Sequence, residues 1–319
     1  MINSNLNKTV AIFGGTGFIG QSIIKVLAKE GYRIRVAVRN TYSETALEIK
    51  TQGDPGQIEL IKLNIDSHDQ VKNFLEDTTV CINLIGILVQ TSDSTFEKLH
   101  FHFVEQLVKI IKEKSNIKHF IHFSSLGVKE NTESKYLNSK FKAEQEIKKQ
   151  LDNYTIIKPS VVFGNGTKEI TNMFAKLASI FPIIPLAGAD VKFQPVYVGD
   201  VAKGVKKIID EEYKSQTFEF GGDEVFTLKE LVKLISNEIR KNNIIIPIPS
   251  WAARIQGSIL GLMPNPMLTL DQIKTLESGD NVLTNKNKTL KDLNIHPQEI
   301  RKITPTYLWR YRSEGQYSS

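Results

Sequence analysis

The run Val10-Ala-Ile-Phe-Gly14-Gly15-Thr16-Gly17-Phe18-Ile19-Gly20 decides the architecture. It sets an apolar, β-branched segment, Thr9–Phe13, directly before a glycine-rich turn and a helical pattern over Phe18–Glu30. A strand that passes through glycines into a helix is the context in which such a turn binds phosphate. Gly14 permits the tight turn, Gly17 lets the backbone approach a pyrophosphate, and Gly20 lets the helix pack close on the strand. The helix start adds unpaired N–H groups and the positive end of the dipole. Gly14, Thr16, Gly17, Phe18, Ile19 and Gly20 are therefore the candidate cradle for a dinucleotide.

Outward from that run, short apolar segments alternate with helical patterns. Strands are predicted at Arg33–Val38, Ile58–Leu63, Val80–Leu84 and Lys118–Phe123, with helices over Phe96–Glu113 and Tyr136–Leu151. Continuous apolar strands joined by helices predict an α/β fold, a doubly wound parallel sheet covered on both faces. After Pro159 the prolines at 182, 185, 195, 247, 249, 264 and 266 break the chain into short elements. Phe193–Val198 and Thr217–Phe220 read as late strands returning to the sheet. Residues 1–165 plus 191–222 are thus expected to form the nucleotide-binding domain, and 166–190 plus 223–319 a smaller C-terminal α/β domain.

With 319 residues, 40% hydrophobic and 24% charged, the chain can build a real core, which excludes disorder and collagen-like structure. Its single cysteine, Cys81, rules out an internal disulfide and reads as a buried, inert thiol in a reducing compartment. The polar start, Met1–Lys8, carries no secretory pattern, so a cytoplasmic protein is expected, with peripheral contact at the inner face of the membrane as an extension. Ile244–Met263 is the most apolar late stretch, and Pro247, Pro249, Arg254 and Gln256 stop it from spanning a bilayer as one helix. The net charge of +6 is dispersed, which argues against nucleic acid. The basic, aromatic end (Arg301, Lys302, Trp309, Arg310, Tyr311, Arg312) reads as a solvated, frayed tail, with docking on an anionic membrane or a partner as the sharper alternative. His100 with His102, and His119 with His122, lack the i,i+4 spacing of a zinc site and read as structural or exposed, so no metal is expected.

The end of the second predicted strand sets nucleotide preference. An NAD site wants a carboxylate there, yet Gly31–Ser43 contains none and the strand ends Val38-Arg39-Asn40. Arg39 is placed to pair with a 2′-phosphate, which favours NADP(H), with NAD(H) as the alternative. Tyr136 and Lys140 stand at i,i+4 on one predicted helix. A fixed cation beside a phenol lowers its pKa toward the working range of an acid–base group.

The spacing Gly-x-x-Gly-x-x-Gly, followed by His122-Phe-Ser124-Ser125-Leu-Gly127 and Tyr136-Leu-Asn-Ser-Lys140, resembles the short-chain dehydrogenase/reductase superfamily. That resemblance implies that Tyr136 exchanges a proton with the substrate oxygen, Lys140 also bonds the nicotinamide ribose, and Ser124 or Ser125 polarises the carbonyl. It further implies an adenine-side turn at Asn64-Ile65-Asp66, a nucleotide-lining segment from Asn83 to Gly86, and another at Pro159. Gln194-Pro-Val-Tyr197-Val-Gly-Asp200 is similar to a segment of the extended branch in which a histidine usually stands where Tyr197 is. That substitution weakens the expectation of epimerase or dehydratase chemistry.

The later half narrows the resemblance. Gly221-Gly222-Asp-Glu-Val-Phe-Thr227, Pro247-Ile-Pro249, Pro264-Asn-Pro266-Met-Leu-Thr269-Leu-Asp271-Gln272 and Glu277-Ser-Gly-Asp280-Asn281 follow in order. Together with Cys81-Ile-Asn-Leu-Ile-Gly-Ile-Leu88, they resemble the family of nucleotide-binding accessory subunits of respiratory complex I, the alpha-subcomplex subunit nine type, over roughly residues 8 to 300. The start of the chain suits a bacterial member. The resemblance implies tightly bound NADPH, complex I subunits or quinone-biosynthesis proteins as partners, and a role in assembly or stability. The retained Ser, Tyr and Lys keep an NADPH-dependent reductase open as the second reading. Finally, Ser250 is expected to cap a helix to Leu262 whose stripe, Trp251, Ile255, Ile259 and Leu262, packs inside the small domain, with membrane or partner docking as the alternative.

Overall fold

Every residue of Val80–Asn83 and of His119–Phe123 is buried, a pattern that only strands covered on both faces can show. The computed structural model describes residues 8–114, 116–166, 169–261, 266 and 268–313. In chain order the strands are β1 (Thr9–Phe13), β2 (Arg33–Val38), β3 (Ile58–Lys62), β4 (Val80–Asn83), β5 (His119–Phe123) and β6 (Tyr154–Pro159). Then come the short β7 (Val162–Phe163), β8 (Ile183–Ala187), β9 (Lys192–Phe193) and β10 (Val196–Tyr197). They are followed by β11 (Gln216–Phe220), β12 (Phe226–Thr227), β13 (Ile244–Ile248) and β14 (Lys288–Thr289). The main sheet is eight-stranded and parallel throughout, in the order β14-β11-β6-β5-β4-β1-β2-β3. The chain leaves β1 toward β2 on one side and returns at β4 on the other, so the strand order reverses at the glycine turn, where doubly wound sheets bind ligands.

Alternation along β1 feeds two cores. Val10 and Ile12 join α1 (Phe18–Lys29) through Ile23, Ile24 and Leu27, and α7 (Val198–Asp210) through Val201, Val205 and Ile208. Ala11 and Phe13 face α3 (His68–Phe74), α4 (Phe103–Glu113) and α5 (Lys135–Gln150). Phe13 lies edge-on to both Phe74 and Phe103, at centroid separations of 4.9 and 5.2 Å. Cys81 is fully buried here, and burial pushes its thiol far above the usual range. A third cluster builds the smaller unit from α6 (Ile170–Ile180), α8 (Leu228–Glu238), Phe163, Phe193 and Tyr307.

Several expectations are corrected. Phe193–Val198 does not return to the main sheet. Gln194-Pro195 splits it, with β9 pairing antiparallel to β12 and β10 parallel to β7, because Pro195 has no N–H to donate to a ladder. The strand at 216–220 does join the sheet, and so does β14, from a segment assigned by sequence to the small domain; Leu290 and Leu293 pack with the sheet's core. The expected helix over 96–113 opens with a π-helical turn, Glu97–His102, before α4.

The C-terminal stretch is docked, not frayed. Tyr307 and Leu308 are buried, Arg312 pairs with Glu238 at 2.6 Å, and Arg310 bonds Asn172, Asn165 and the Gly166 carbonyl. Helix α9 (Ser250–Leu260) starts after Pro249, and Ser250 makes no capping bond. Its expected core stripe faces outward: Trp251, Ile255 and Ile259 are 69%, 54% and 63% exposed, while Ala253 and Gly257 face the neighbouring α10 (Leu270–Glu277). Leu262 lies outside the described residues. No described helix is long and apolar enough to cross a membrane.

Candidate functional site

The glycine turn is held by backbone contacts that leave no room for side chains. Gly14 has φ +78°, in the left-handed region that favours glycine, and a Cβ there would meet the Leu84 carbonyl carbon at 3.0 Å. A Cβ on Gly20 would lie 2.6 Å from both the Gly14 oxygen and the Gly15 Cα. The Gly17 N–H donates to the Gly14 oxygen at 3.1 Å, and Gly17 stands at the N-cap of α1, which has no side-chain cap. The first-turn N–H groups therefore remain open for an anion. The Thr16 carbonyl accepts from Gln21 at 3.0 Å, the Phe18 ring abuts Gly164 and Gly166, and Ile19 packs against the core. Gly15 escaped the sequence reading. Its Cβ would strike Val36 at 2.6 Å, a constraint visible only once β2 is beside the turn.

Arg39 is exposed at the end of β2 and makes no ion pair among the described residues. At the end of β3, Ile65 is half-buried, while Asp66 accepts from Lys98 at 2.8 Å and its N–H bonds Asn64 Oδ1 at 3.1 Å. Asn83 closes β4: its Oδ1 accepts from the Ile85 N–H at 3.0 Å and its amide nitrogen meets His122 Nδ1 at 3.3 Å. The chain then passes Gly86, where a Cβ would stand 3.6 Å from Lys140 Nζ and 3.8 Å from His100 Nε2. The glycine turn, the segment after β4 and the start of α5 thus share one wall. Pro159 closes it by accepting the Leu126 N–H at 3.0 Å.

The two serines part company. The Ser124 hydroxyl donates to the buried Glu144 carboxylate at 2.5 Å, and Lys158 meets the same carboxylate at 3.1 Å. The Ser125 hydroxyl donates to the Leu126 carbonyl at 3.0 Å and lies close enough to Tyr136 to oppose the effect of burial on the phenol. Burial wins, and Tyr136 is raised above its ordinary value, contrary to the lowering expected from Lys140. The reason is where the lysine points: Lys140 Nζ donates to the Phe123 carbonyl at 2.9 Å. Burial lowers Lys140 to about 8, with Glu144 opposing.

His100 is a brace that the sequence did not reveal as part of this wall. It sits in the π-helical turn, fully buried, stacked on Phe96 and edge-on to Tyr136 at 5.4 Å. Its Nε2 accepts the Ile87 N–H at 3.0 Å, and its Nδ1 meets Ser139 Oγ at 2.9 Å while Ser139 donates to the Tyr136 carbonyl. This pattern requires the neutral ring with the proton on Nδ1. Burial, then the Lys140 and His122 charges, hold its pKa down to about 2. The segment after β4 is thereby tied to the helix that carries Tyr136 and Lys140. Asp200, which follows Tyr197, is buried and accepts the Gln298 N–H at 2.6 Å, a tether for the C-terminal segment. His102 is exposed, whereas His119 and His122 are buried.

A model of the NmrA-like family matches residues 6–300. Subunit 9 of the NADH dehydrogenase [ubiquinone] 1 alpha subcomplex, mitochondrial, from Arabidopsis thaliana is 30% identical over 326 residues, covering 98% of this chain and 80% of that protein. The mitochondrial 40 kDa subunit of NADH-ubiquinone oxidoreductase from Neurospora crassa is 29% identical over 311 residues, covering 97% and 81%. Among solved structures, a dTDP-glucose 4,6-dehydratase from Bacillus anthracis in complex with NAD matches with a TM-score of 0.69 at 14% identity, over 95% of this chain and 96% of that one. That last likeness concerns the fold alone.

Proposed function

The chain belongs to the NmrA-like family and aligns along nearly its whole length with complex I alpha-subcomplex subunits, and from that premise we propose that it is a nucleotide-binding accessory or assembly factor of a complex I-type quinone oxidoreductase. Its ligand is NADP(H), held as a resident group. Gly14, Gly17 and Gly20 would take the pyrophosphate with the first N–H groups of α1, and Arg39 the 2′-phosphate. Ile65 and Asp66 would line the adenine side, and Gly86, Pro159, Tyr136 and Lys140 the nicotinamide side. The absence of space for a Cβ at Gly20 supports the pyrophosphate fit, because a turn kept that tight leaves its amides facing outward.

The observation that carries the accessory role is the Lys140–Phe123 hydrogen bond. It gives the ammonium a partner inside the fold, so the phenol lacks the neighbouring cation that would favour its ionised form. A ligand bound only by the folded state stabilises it by about 4 kcal/mol at a thousandfold excess over Kd, which is enough for a structural role.

One observation favours the second reading, an NADPH-dependent reductase of carbonyl or quinone-like substrates. Ser125 lies beside Tyr136, so a substrate oxygen that took the Ser125 hydroxyl from the Leu126 carbonyl would meet a polarising donor and a phenol able to act as general acid. A bound nicotinamide would supply the hydride. Purification without added nucleotide, followed by identification of the bound species and its exchange rate, separates the readings. Stoichiometric NADPH that leaves over hours supports the accessory role. A site that exchanges within a second supports turnover and overturns it.

A further inference from the structure

We infer that residues 269–281 of the small domain form a strap that positions the nicotinamide side of the site: Asp271 sets the start of the helix that carries Tyr136, and Asn281 sets the loop that carries Ser125. Helix α10 opens with a capping box, in which Thr269 accepts from the Gln272 N–H and Gln272 accepts from the Thr269 N–H. The box fixes the first turn of α10, where Asp271 stands. The Asp271 carboxylate then reaches a different helix. Its Oδ1 accepts the Lys135 N–H at 2.7 Å, and its Oδ2 accepts the Tyr136 N–H and the Ser134 hydroxyl, both at 3.1 Å. Ser134 in turn accepts the Leu137 N–H at 3.2 Å. The first three N–H donors of α5 are thus all satisfied, two of them by a residue 136 and 135 positions away in sequence. Helix α5 has no acid in its own first turn, so the negative charge that complements its dipole comes from α10.

Beyond α10 the chain reaches Asn281. Its amide nitrogen donates to the Leu126 carbonyl at 3.0 Å, the same carbonyl that accepts the Ser125 hydroxyl. Its Oδ1 accepts the Ser160 hydroxyl at 2.7 Å, one residue past Pro159, and its N–H donates to the Lys192 carbonyl at 2.7 Å. Between these two anchors Ser278 meets Thr132 at 2.8 Å, and Glu133 pairs with Arg254 at 3.6 Å and Lys274 at 3.7 Å. Contacts needed only to hold two domains together could fall anywhere along their border. These fall on the second residue of α5, which is Tyr136, and on the residue after Ser125. The separation of the phenol from the Ser125 hydroxyl therefore depends on the small domain, and so does the contact that each can make with a bound nicotinamide. By linkage, a nucleotide held there favours the seated strap by the same factor by which the strap favours the nucleotide.

The role of the strap rests on the nucleotide-binding reading, and the test separates the two. The full chain and its Asp271→Asn variant, which keeps the side-chain size and one acceptor oxygen, are titrated with NADPH and with adenosine 2′,5′-bisphosphate, which carries the 2′-phosphate but no nicotinamide. Asp271→Asn should bind NADPH about tenfold more weakly, with the fluorescence of the bound NADPH moved toward that of the free form, while adenosine 2′,5′-bisphosphate binds both chains alike. Asn281→Ala should act in the same direction. Hydrogen exchange reads the reverse coupling: NADPH should slow the amides of α10 in the unaltered chain, and do so less in Asp271→Asn. Equal weakening of the two ligands would mean lost folding rather than lost position, and would overturn the strap. So would NADPH bound equally by both chains, or α10 exchange indifferent to NADPH. An unaltered chain that binds neither ligand would instead overturn the nucleotide reading, and the strap with it.

Discussion

Acidification should unfold this protein in a window set by its buried histidines. His100, His119 and His122 are all inside, and burial lowers each of them: His100 to about 2, His119 to about 4, and His122 well below its ordinary value. An unfolded histidine titrates near 6.5, so between that value and the folded pKa the unfolded chain binds the proton first. The stability is therefore fully present above about pH 6.5 and is lost as the pH falls toward the folded values. At about pH 5 His100 and His119 each account for about 2 kcal/mol of lost stability, together about 4 kcal/mol, and His122 adds to the loss in the same direction. That is comparable with the whole stability of an ordinary domain. Glu169, whose pKa burial raises, works in the opposite direction and trims the loss. The assay is urea unfolding by circular dichroism at about pH 7 and about pH 5, repeated on His119→Gln. The His119 ring meets Thr155 at 2.7 Å, remote from the glycine turn, so this variant should remove about 2 kcal/mol of the pH dependence. A free energy that changes by less than about 1 kcal/mol between the two conditions would refute the reasoning, as would an undiminished pH dependence in His119→Gln. The same protonation reaches the site, because His100 carrying a second proton can no longer accept from Ile87.

Gly20→Ala should place a methyl against three backbone atoms, destabilise the turn by about 3 kcal/mol and weaken nucleotide binding about a hundredfold by titration calorimetry. Arg39→Ala should weaken NADPH about thirtyfold and leave NADH unchanged; equal weakening of both would sink the 2′-phosphate assignment. Lys140→Met should leave the Phe123 carbonyl without its donor and lower the urea-derived stability by about 2 kcal/mol, whereas an unchanged stability would mean that the lysine's role is not to hold β5 to α5.

The sheet was legible because its strands are buried on both faces and their β-branched runs interrupt helical periods; Thr9–Phe13 and Arg33–Val38 coincide with their predicted bounds. The reading failed where the determinant is not local. Phe193–Val198 has strand propensity, but Pro195 and the positions of β7 and β12 decide its partners. The α9 stripe has the spacing of a core face, yet periodicity states only that one side is apolar, and the packing of Gly257 on Ile273 selects the opposite side for burial. At the site, the glycines and the Tyr136–Lys140 pair could be read from spacing. His100 could not, since its contribution comes from a π-helical turn and from bonds to residues 13 and 39 positions away. The choice between adjacent serines was equally hidden, because Ser124 and Ser125 point to opposite partners and only Glu144, buried on α5, distinguishes them.

The Tyr-x-x-x-Lys pair is what makes a chain of this kind look like an enzyme, and here the pair has an architectural use. Lys140 lies nearly buried, and its ammonium satisfies the Phe123 carbonyl at the point where β5 leaves the sheet. Glu144, one turn further on, balances that charge and at once fixes Ser124 and Lys158. Removing any one member would strand a buried polar group, at about 1–3 kcal/mol each. The motif can therefore persist for reasons of folding without turnover to select it. Tyr136 is packed by Phe96 and His100, so the same aromatic contacts that anchor α5 also fill the space beside the phenol. A nucleotide lying along this wall would touch elements from both sides of the strand-order reversal, through the glycine turn and through α5. It would thus add a further tie across the β1–β4 ladder, beside the Leu84 N–H to Phe13 carbonyl bond and the His100 brace. Such a ligand would act as a clamp, which is the behaviour that the proposed accessory role requires of it.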